Sequence, residues 1–507
     1  MPRMTPSLMA SALALLPMTT LAQADVTAAD VWNDWRDYLS GMGYEVSATE
    51  TSAGDGLTVS DVTIAMDMND ETGTARISLG ELRFVEKGDG TVAVELPATM
   101  PIVMNLTPKE GDPVSVALDY TQSGFAMIAS GQPTDMVYDY SADRLGMTLT
   151  EVVVDGTAIS EDDVSGSVTL ADLQGQTQMT IGALRSYAQT LTASKISYDA
   201  YFNDPEGGGS AKITGASDML AFEGAGEVPL GVAQSTDMSE MLASGLTVDG
   251  TFTNGAGSSD MAVTGPDGPV TGSTASQGGS LAVAMSQNGI AYNVAQNGLA
   301  VNLVSAAAPL PIAFEVDEAR FNLSAPVRKS DEAQDFALGF TLGDFTMSDM
   351  IWGIFDPAAQ LPRDPATIAL ELTGKAKVLM DFLDPTVAAR METSGEAPGE
   401  LETLSIDKLQ VTVAGAELTG EGDFAFDNSA EFNGMPKPTG AANFTLVGGN
   451  ALIDTLVNMG LLPQEQAMGA RMMMGLFAVP GDAPDTLNSK IEINEEGHVL
   501  ANGQRIQ

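Results

Sequence analysis

Between Ala366 and Asp381, apolar and polar side chains alternate for longer than in an ordinary β-strand. The even positions are Ile368, Leu370, Leu372, Gly374, Ala376, Val378 and Met380, whereas the odd ones include Thr367, Glu371, Thr373, Lys375, Lys377 and Asp381. Successive side chains of a strand point to opposite faces, so the pattern predicts one apolar and one solvated face. The strand would be about 50 Å long at about 3.3 Å per residue. A chain with this segment is constrained to build a sheet that is wet on one side.

Turn signals divide most of the chain into short alternating runs. They are Asp55-Gly56, Asp89-Gly90, Asp155-Gly156, Asp249-Gly250, Asp267-Gly268, Asn254-Gly255, Asn288-Gly289, Asn297-Gly298, Asn433-Gly434 and Asn502-Gly503. These dipeptides suit hairpins and leave little room for crossover helices, so antiparallel sheet is favoured over parallel α/β structure. Glycines along the strands, as at Gly420 and Gly422, favour bending. We expect a mainly β protein whose long, curled antiparallel sheets form a half-barrel or groove.

Four short helices are predicted to cap these sheets. One opens at Thr27-Ala28-Ala29-Asp30, and a second runs from Ser348 to Asp356-Pro357. Two more are predicted at 451–459, after an Asn450 cap, and at 464–477. Pro309-Leu310-Pro311 marks the expected boundary between two sheet-rich halves, residues 25–310 and 311–507.

The first 24 residues have the three parts of a cleaved secretory signal. A positive charge at Arg3 precedes the apolar run Leu8–Leu16, and the small-residue site Ala22-Gln23-Ala24 follows. Pro6 and Pro17 interrupt the run, which disfavours a membrane anchor of about 20 residues. We therefore expect export to the periplasm and a soluble product after cleavage before Asp25.

Charge and composition exclude several functions. Asp and Glu number 68 against 22 Lys and Arg, and this net charge of -46 opposes nucleic-acid binding. Without cysteine there is no disulfide or thiolate metal site, and the only histidine, His498, lies in a turn. The acidic turn Asp67–Gly73 departs from a calcium loop at Thr72 and Ser78. No catalytic motif is found, so we predict a non-enzymatic protein without catalytic residues, metal or cofactor.

A cluster of rare residues precedes the long alternating segment. Trp352 and Phe355 are followed by Arg363 between two Asp-Pro steps. As a ligand-gripping lid, the aromatic rings would contact apolar ligand while Arg363 meets an anionic head group. Alternatively, the segment is a capping helix and rigid turn in which Arg363 pairs with Asp356 or Asp364. The chain's 28 methionines also provide adaptable apolar surface suited to lipid chains.

The sequence resembles an uncharacterised Gram-negative envelope family, domain of unknown function 2125, over nearly all of the chain after residue 24. The resemblance rests on the Trp32/Trp35 helix, on Phe340–Phe345, on Trp352–Ile368 and on the ending Gly497–Gly503. More distantly, the long strands are similar to those of AsmA-like and TamB-like envelope proteins, whose apolar β grooves carry phospholipid. Those proteins usually keep an N-terminal membrane helix, so the resemblance implies a soluble carrier here rather than a membrane bridge.

The expected function is therefore binding of a hydrophobic or lipidic ligand on an apolar groove in the cell envelope. The alternative is a structural scaffold or adhesive protein without a small ligand, whose envelope partners are unidentified. An outer-membrane β-barrel is disfavoured because aromatic girdles are lacking. A charge at Leu370 or Leu372 is expected to abolish ligand uptake. The candidate ligand-binding residues are Trp352, Phe355, Arg363, Ile368, Leu370, Leu372 and Val378.

Overall fold

A computed structural model describes residues 25–67, 73–108, 111–205, 207–230, 238–307, 310–384, 387, 397–432 and 435–507. The predicted signal sequence, most of the Asp67–Gly73 turn, Pro309 and the Asn433-Gly434 turn lie outside these residues. Strands account for 65% of the structure and helices for 12%. The predicted fold class, mainly β with antiparallel pairing and a few short helices, is confirmed.

Five helices lie within the described residues. They are α1 (Ala28–Gly41), α2 (Met238–Ala243), α3 (Asp349–Phe355), α4 (Gly449–Asn458) and α5 (Gln464–Phe477). Thr27 and Asp30 form a reciprocal capping box at the start of α1, where each side chain accepts the other's backbone N–H. The short α2 was not predicted, because six residues carry too little periodicity. Within the described residues, no helix combines the length and apolar character needed to cross a bilayer.

The strands join into one antiparallel sheet. Its first part comprises β1 (Glu45–Ala53), β2 (Gly56–Asp67), β3 (Thr74–Leu79), β4 (Leu82–Glu86), β5 (Val92–Glu95), β6 (Thr99–Thr107), β7 (Val114–Ser123), β8 (Ala126–Gln132), β9 (Asp135–Val154), β10 (Thr157–Ile159), β11 (Val164–Ile181), β12 (Leu184–Asn203), β13 (Ser210–Pro229) and β14 (Thr247–Asn254). Its second part comprises β15 (Gly257–Gly265), β16 (Gly268–Ser276), β17 (Gly278–Ser286), β18 (Gly289–Ser305), β19 (Ile312–Ala325), β20 (Gln334–Met347), β21 (Ala366–Val378), β22 (Gly399–Val413), β23 (Ala416–Phe432), β24 (Met435–Val447), β25 (Val479–Pro480), β26 (Thr486–Ile493), β27 (Val499–Ala501) and β28 (Gln504–Arg505).

Two pairs of half-length strands lie between the long strands β13 and β18. β13 pairs with β15 along its first half and with β14 along its second half, and β16 and β17 then meet β18 in the same way. From β18 to β24, each strand pairs with the next in the sequence. The pairing of β18 with β19 continues the sheet across residue 310. The division into 25–310 and 311–507 as domains stays a prediction.

Residues in the left-handed conformation interrupt several long strands. Asp172 in β11, Met219 in β13, Gly298 in β18 and Asp344 in β20 have φ between 49° and 55°. The regular pairing with the neighbouring strand is interrupted at or beside each of these residues. The register is unchanged on both sides of the break at Asp172, Met219 and Gly298. Beside Asp344 the register between β20 and β21 shifts by one residue, and such a β-bulge bends the strand.

The sequence placed some strand ends wrongly. β21 ends at Val378 rather than Asp381 and has 13 residues, whereas β9, β12 and β13 have 20. Asp249-Gly250 and Asn297-Gly298 lie inside β14 and β18 instead of in turns. The longest strands escaped prediction because the regular pairing of each is interrupted near its middle. The alternation of apolar and polar side chains therefore reads as two shorter runs of opposite phase.

Candidate functional site

One row of mostly apolar residues crosses the sheet at right angles to the strands. Each member is directly opposite the next on the neighbouring strand, so all of them share one face. This apolar row consists of Met127, Tyr140, Gly175, Leu191, Phe222, Phe252, Leu281, Val294, Phe321, Phe340, Leu370, Leu409, Gly420 and Phe444. It spans the 14 strands from β8 to β24 that these residues occupy. At about 4.8 Å per strand spacing, its length is about 60 Å.

The middle of the apolar row is open to solvent. Phe252, Leu281, Val294, Phe321 and Phe340 are 37%, 43%, 42%, 40% and 45% exposed. Soluble proteins seldom leave contiguous large apolar side chains uncovered unless the patch binds something. These five successive cross-strand neighbours form a contiguous apolar patch that is exposed to solvent.

A second row runs beside the first, two residues away on β17 to β21 and three residues away on β22, where the register shifts. It contains Val283, Tyr292, Leu323, Leu338, Leu372 and Ile406, all half-buried. Two residues along a strand correspond to about 7 Å. The two rows thus form an apolar band across β17 to β22, wide enough for a linear hydrocarbon chain.

On the opposite face of β21, the side chains from Glu371 to Lys375 are exposed to solvent. In β21, Glu371, Thr373 and Lys375 are exposed, whereas Leu370 and Leu372 are half-buried. Lys375 pairs with Asp335 across the sheet, with Nζ and Oδ1 2.7 Å apart. The alternation read from the sequence is observed from Leu370 to Lys375, whereas it is reversed at the start of β21, where Ile368 is 47% exposed and Ala369 is fully buried.

Aromatic rings cover the glycines of the apolar row. A Cβ placed on Gly175 would lie 2.3 Å from the Tyr140 ring, and one on Gly420 would lie 2.5 Å from the Phe444 ring. Both distances are far below van der Waals contact, so the rings occupy the space that a side chain would need. Glycine at these positions lets the neighbouring rings lie flat and keeps the row apolar.

Helix α1 covers the sheet at the N-terminal end of the row. Trp35 packs on Phe84 with ring centroids 5.4 Å apart, and on Tyr138 at 6.3 Å. Met127 and Tyr140, the first members of the row, pack against this same core cluster. The row therefore begins beneath a helix and becomes exposed only further along.

A buried polar cluster fastens α1 to the sheet. Asp34 of α1 pairs with Arg185 of β12, and both side chains are more than 90% buried. The Tyr138 hydroxyl donates to Asp34 Oδ2 at 2.8 Å. Burial raises the pKa of Asp34 above its ordinary 3.8, although Tyr138 and Arg185 counteract it. Burial, together with the adjacent carboxylate, raises the pKa of Tyr138 well above its ordinary value.

Helices α4 and α5 lie at the other end of the row. Ser489 Oγ and Asn502 Nδ2 both donate to the Phe477 carbonyl oxygen, at 2.6 and 3.0 Å, and hold the end of α5 on the sheet. The predicted Asn450 cap of α4 is wrong, because the cap position is Gly448. The capping carboxylate belongs to Asp485, which accepts from the backbone N–H groups of Asn450 and Ala451 at 3.2 and 2.9 Å.

Asp485→Asn is expected to destabilise α4 by about 1 kcal/mol at neutral pH, the usual value of a lost cap. Burial raises the pKa of Asp485, but the hydrogen bonds from Ala451 and Asn450 outweigh it and leave the pKa below 3.8. A carboxyl group whose pKa is lower in the folded protein than in the unfolded chain stabilises the fold at pH values above 3.8. This contribution disappears as the pH falls through the folded-state pKa. Amide exchange across α4 should be faster in the variant at pH 7 and equal to wild type in strong acid. An equal effect of Asp482→Asn, at an exposed position nearby, would contradict the assignment.

The structure brings together the predicted cluster around α3. The Trp352 and Phe355 rings lie 5.1 Å apart, and the Arg363 guanidinium lies 5.6 Å from the Trp352 ring centre. Arg363 pairs with Asp349, rather than with Asp356 or Asp364 as the rigid-turn interpretation held. Its Nε is buried and has no acceptor among the described residues.

Asp356 closes α3 in the predicted place. Its carboxylate is fully buried and accepts the backbone N–H groups of Gln360 and Leu361 at 2.8 and 2.9 Å. These hydrogen bonds, led by that from Gln360, lower the pKa of Asp356 below 3.8. The turn that leads from α3 to β21 is therefore internally stabilised.

Four candidate residues on β21 lie in different environments. Ile368 is 47% exposed, Leu370 and Leu372 belong to the two rows, and Val378 is 4% exposed. Val378 thus has almost no surface left for a ligand. The row members on β14 and β17 to β20 were missed, since each of those strands shows only a short alternation. Phe321 and Phe340 are opposite one another, and no one-dimensional pattern places them together.

Polar side chains in the described residues show no catalytic arrangement. His498 Nδ1 lies 3.1 Å from a carboxylate oxygen of Glu496, in the turn between β26 and β27. No three His, Asp or Glu side chains within the described ranges are grouped to hold a metal ion. The apolar band remains the surface feature that most needs a functional explanation.

The second half of the chain matches a family of bacterial proteins. Residues 250–502 match a family described as an uncharacterized protein conserved in bacteria, DUF2125. No curated protein and no solved structure matches the chain. The matched residues include the row from Phe252 to Phe444.

Proposed function

We propose that this chain, which belongs to the DUF2125 family of uncharacterized bacterial proteins, is an exported carrier or receptor for a hydrophobic or lipidic ligand. The ligand lies along the apolar row and its neighbouring second row. The observation that carries the proposal is the uninterrupted cross-strand sequence Phe252, Leu281, Val294, Phe321 and Phe340, exposed on one face.

The size of the exposed surface determines the kind of ligand. Fully burying one such side chain gains about 1.5–3 kcal/mol, so covering five that are about two-fifths exposed gains about 3–6 kcal/mol. This free energy corresponds to dissociation constants from millimolar to tens of micromolar before the costs of binding are counted. Tight binding therefore requires a ligand long enough to extend beyond these five residues. An acyl chain meets that requirement, whereas a compact ring does not.

The α3 cluster provides a place for a polar head group. Arg363 lies on the connection into β21, next to the strand end that carries Ile368. Its partner Asp349 is 87% exposed, and exposed ion pairs contribute at most about 1 kcal/mol. An anionic head group can replace such a partner and use the unpaired Nε–H, while Trp352 and Phe355 contact the adjoining chain. The periplasm is the proposed cellular location, and the signal sequence predicted in residues 1–24 supports this proposal.

Native mass spectrometry with organic extraction tests the proposal. Residues 25–507, purified without detergent from the export compartment, are expected to carry a stoichiometric phospholipid or fatty acid. The bound mass should disappear on extraction and reappear in the organic phase. A clean apo mass that stays unchanged after incubation with phospholipid and fatty acid would contradict the carrier function. That result would favour the structural or adhesive role.

A further inference from the structure

A small cavity lies between α5 and the sheet where the apolar row ends. Its volume is about 270 Å³. The sheet contributes Phe444, the last row member, and Leu418, Leu446 and Leu487, whereas α5 contributes Met473, Met474 and Phe477. Leu418, Leu446 and Leu487 are direct cross-strand partners two residues from the row, so they share its face.

The lining of the cavity favours a hydrocarbon ligand. Its one polar side chain among the described residues, Ser489, donates to the Phe477 carbonyl oxygen. No hydrogen-bonding side chain in this lining is therefore left for a polar ligand. Methionine side chains are flexible and polarizable, so Met473 and Met474 can adapt to chains of different length. At about 300 Å³, ligand pockets reach their usual lower limit, and the volume of this cavity accommodates part of one acyl chain.

The cavity is continuous with the proposed binding surface. Phe444 lies over Gly420, and Gly420 is opposite Leu409, which is opposite Leu370. An extended chain that follows the row toward β24 thus reaches the cavity without crossing a polar residue.

We propose that the cavity beneath α5 receives the terminal segment of a single unbranched acyl chain whose remainder lies along the adjoining members of the apolar row, from Gly420 to Leu370. The inference rests on the proposed function, since it assigns the end of the same ligand. It also gives α5 a role, as the cover that separates the chain end from water.

Site-specific alkylation tests the cavity separately from the row. The chain contains no cysteine, so Met474→Cys, Met472→Cys and Leu370→Cys each introduce a single thiol. Met474 lines the cavity, Met472 lies on the same helix but is 71% exposed, and Leu370 reports on the row three strands from Phe444, about 14 Å away. Each thiol is alkylated in the full chain with and without palmitate.

With palmitate at about ten times its dissociation constant, alkylation of the Met474→Cys and Leu370→Cys variants is expected to slow by about tenfold. The rate in Met472→Cys should stay unchanged. Protection of the thiol in Leu370→Cys alone would overturn the cavity assignment and leave the proposed function standing. Equal protection of the thiol in Met472→Cys would also overturn the cavity assignment, because palmitate would then bind over the outer surface of α5. No protection in any of the three variants would overturn both proposals.

Discussion

Val294→Glu is expected to weaken the binding of a fatty acid or phospholipid by about 100-fold. Val294 lies in the exposed middle of the apolar row, between Leu281 and Phe321 on the adjacent strands. A carboxylate there must either stay hydrated and displace the chain or lose its water against hydrocarbon. Charged side chains placed in hydrocarbon cost about 2.5–3.5 kcal/mol on insertion scales, and each 1.4 kcal/mol is about tenfold in affinity. Titration with a fluorescent fatty acid measures the loss.

Asn293→Glu is the matched control for this variant. Asn293 precedes Val294 in β18, is also exposed and points to the wet face. Both changes add one negative charge to the same strand, so they alter long-range repulsion equally. Unchanged binding in Asn293→Glu, together with weak binding in Val294→Glu, would assign the ligand to the apolar face. Equal binding in both folded variants would exclude it from the row.

The choice of Val294 follows from burial. Leu370 and Leu372, the positions indicated by the sequence, are half-buried, so a charge there also removes packing. Val294 is 42% exposed, and substitutions at exposed positions usually change stability by about 0.5 kcal/mol or less. A binding defect at Val294 can therefore be read without correction for unfolding.

Asp34→Ala is expected to destabilise the docking of α1 by about 3–5 kcal/mol, the usual cost of breaking a buried ion pair. The substitution leaves the Arg185 guanidinium buried without its carboxylate and removes the acceptor of the Tyr138 hydroxyl. Because a chain of this size need not unfold in one step, amide exchange in Ala28–Gly41 is the appropriate measurement. We expect exchange there to be faster by about two to four orders of magnitude.

The double variant Asp34→Leu with Arg185→Met separates the charge from the packing. Buried ion pairs can often be replaced by apolar residues at little cost, so protection of α1 should largely return. Asp37→Ala is the control on the same helix, because Asp37 is 71% exposed and lies 3.9 Å from Arg36. A loss in Asp37→Ala as large as that in Asp34→Ala would show that the buried cluster has no special role.

Local patterns determined much of the architecture. Alternation in residues 370–375 defined both faces of that part of β21, and the Thr27 and Asp30 pair defined the start of α1. The helices near Ser348 and Gln464 were also predicted from their own residues. These features depend on side-chain periodicity and on hydrogen bonds within a few residues, so a sequence read along its length contains them.

Pairing between distant strands decided the rest. Val294 becomes part of the apolar row because its partners come from residues 281 and 321, and α4 is capped by Asp485 from 35 positions away. Arg185 completes the α1 cluster across 151 positions. The sequence by itself determined that the strands have an apolar and a wet face. Only the tertiary structure decided which apolar residues form one row, because register and bulges are fixed when the strands pair.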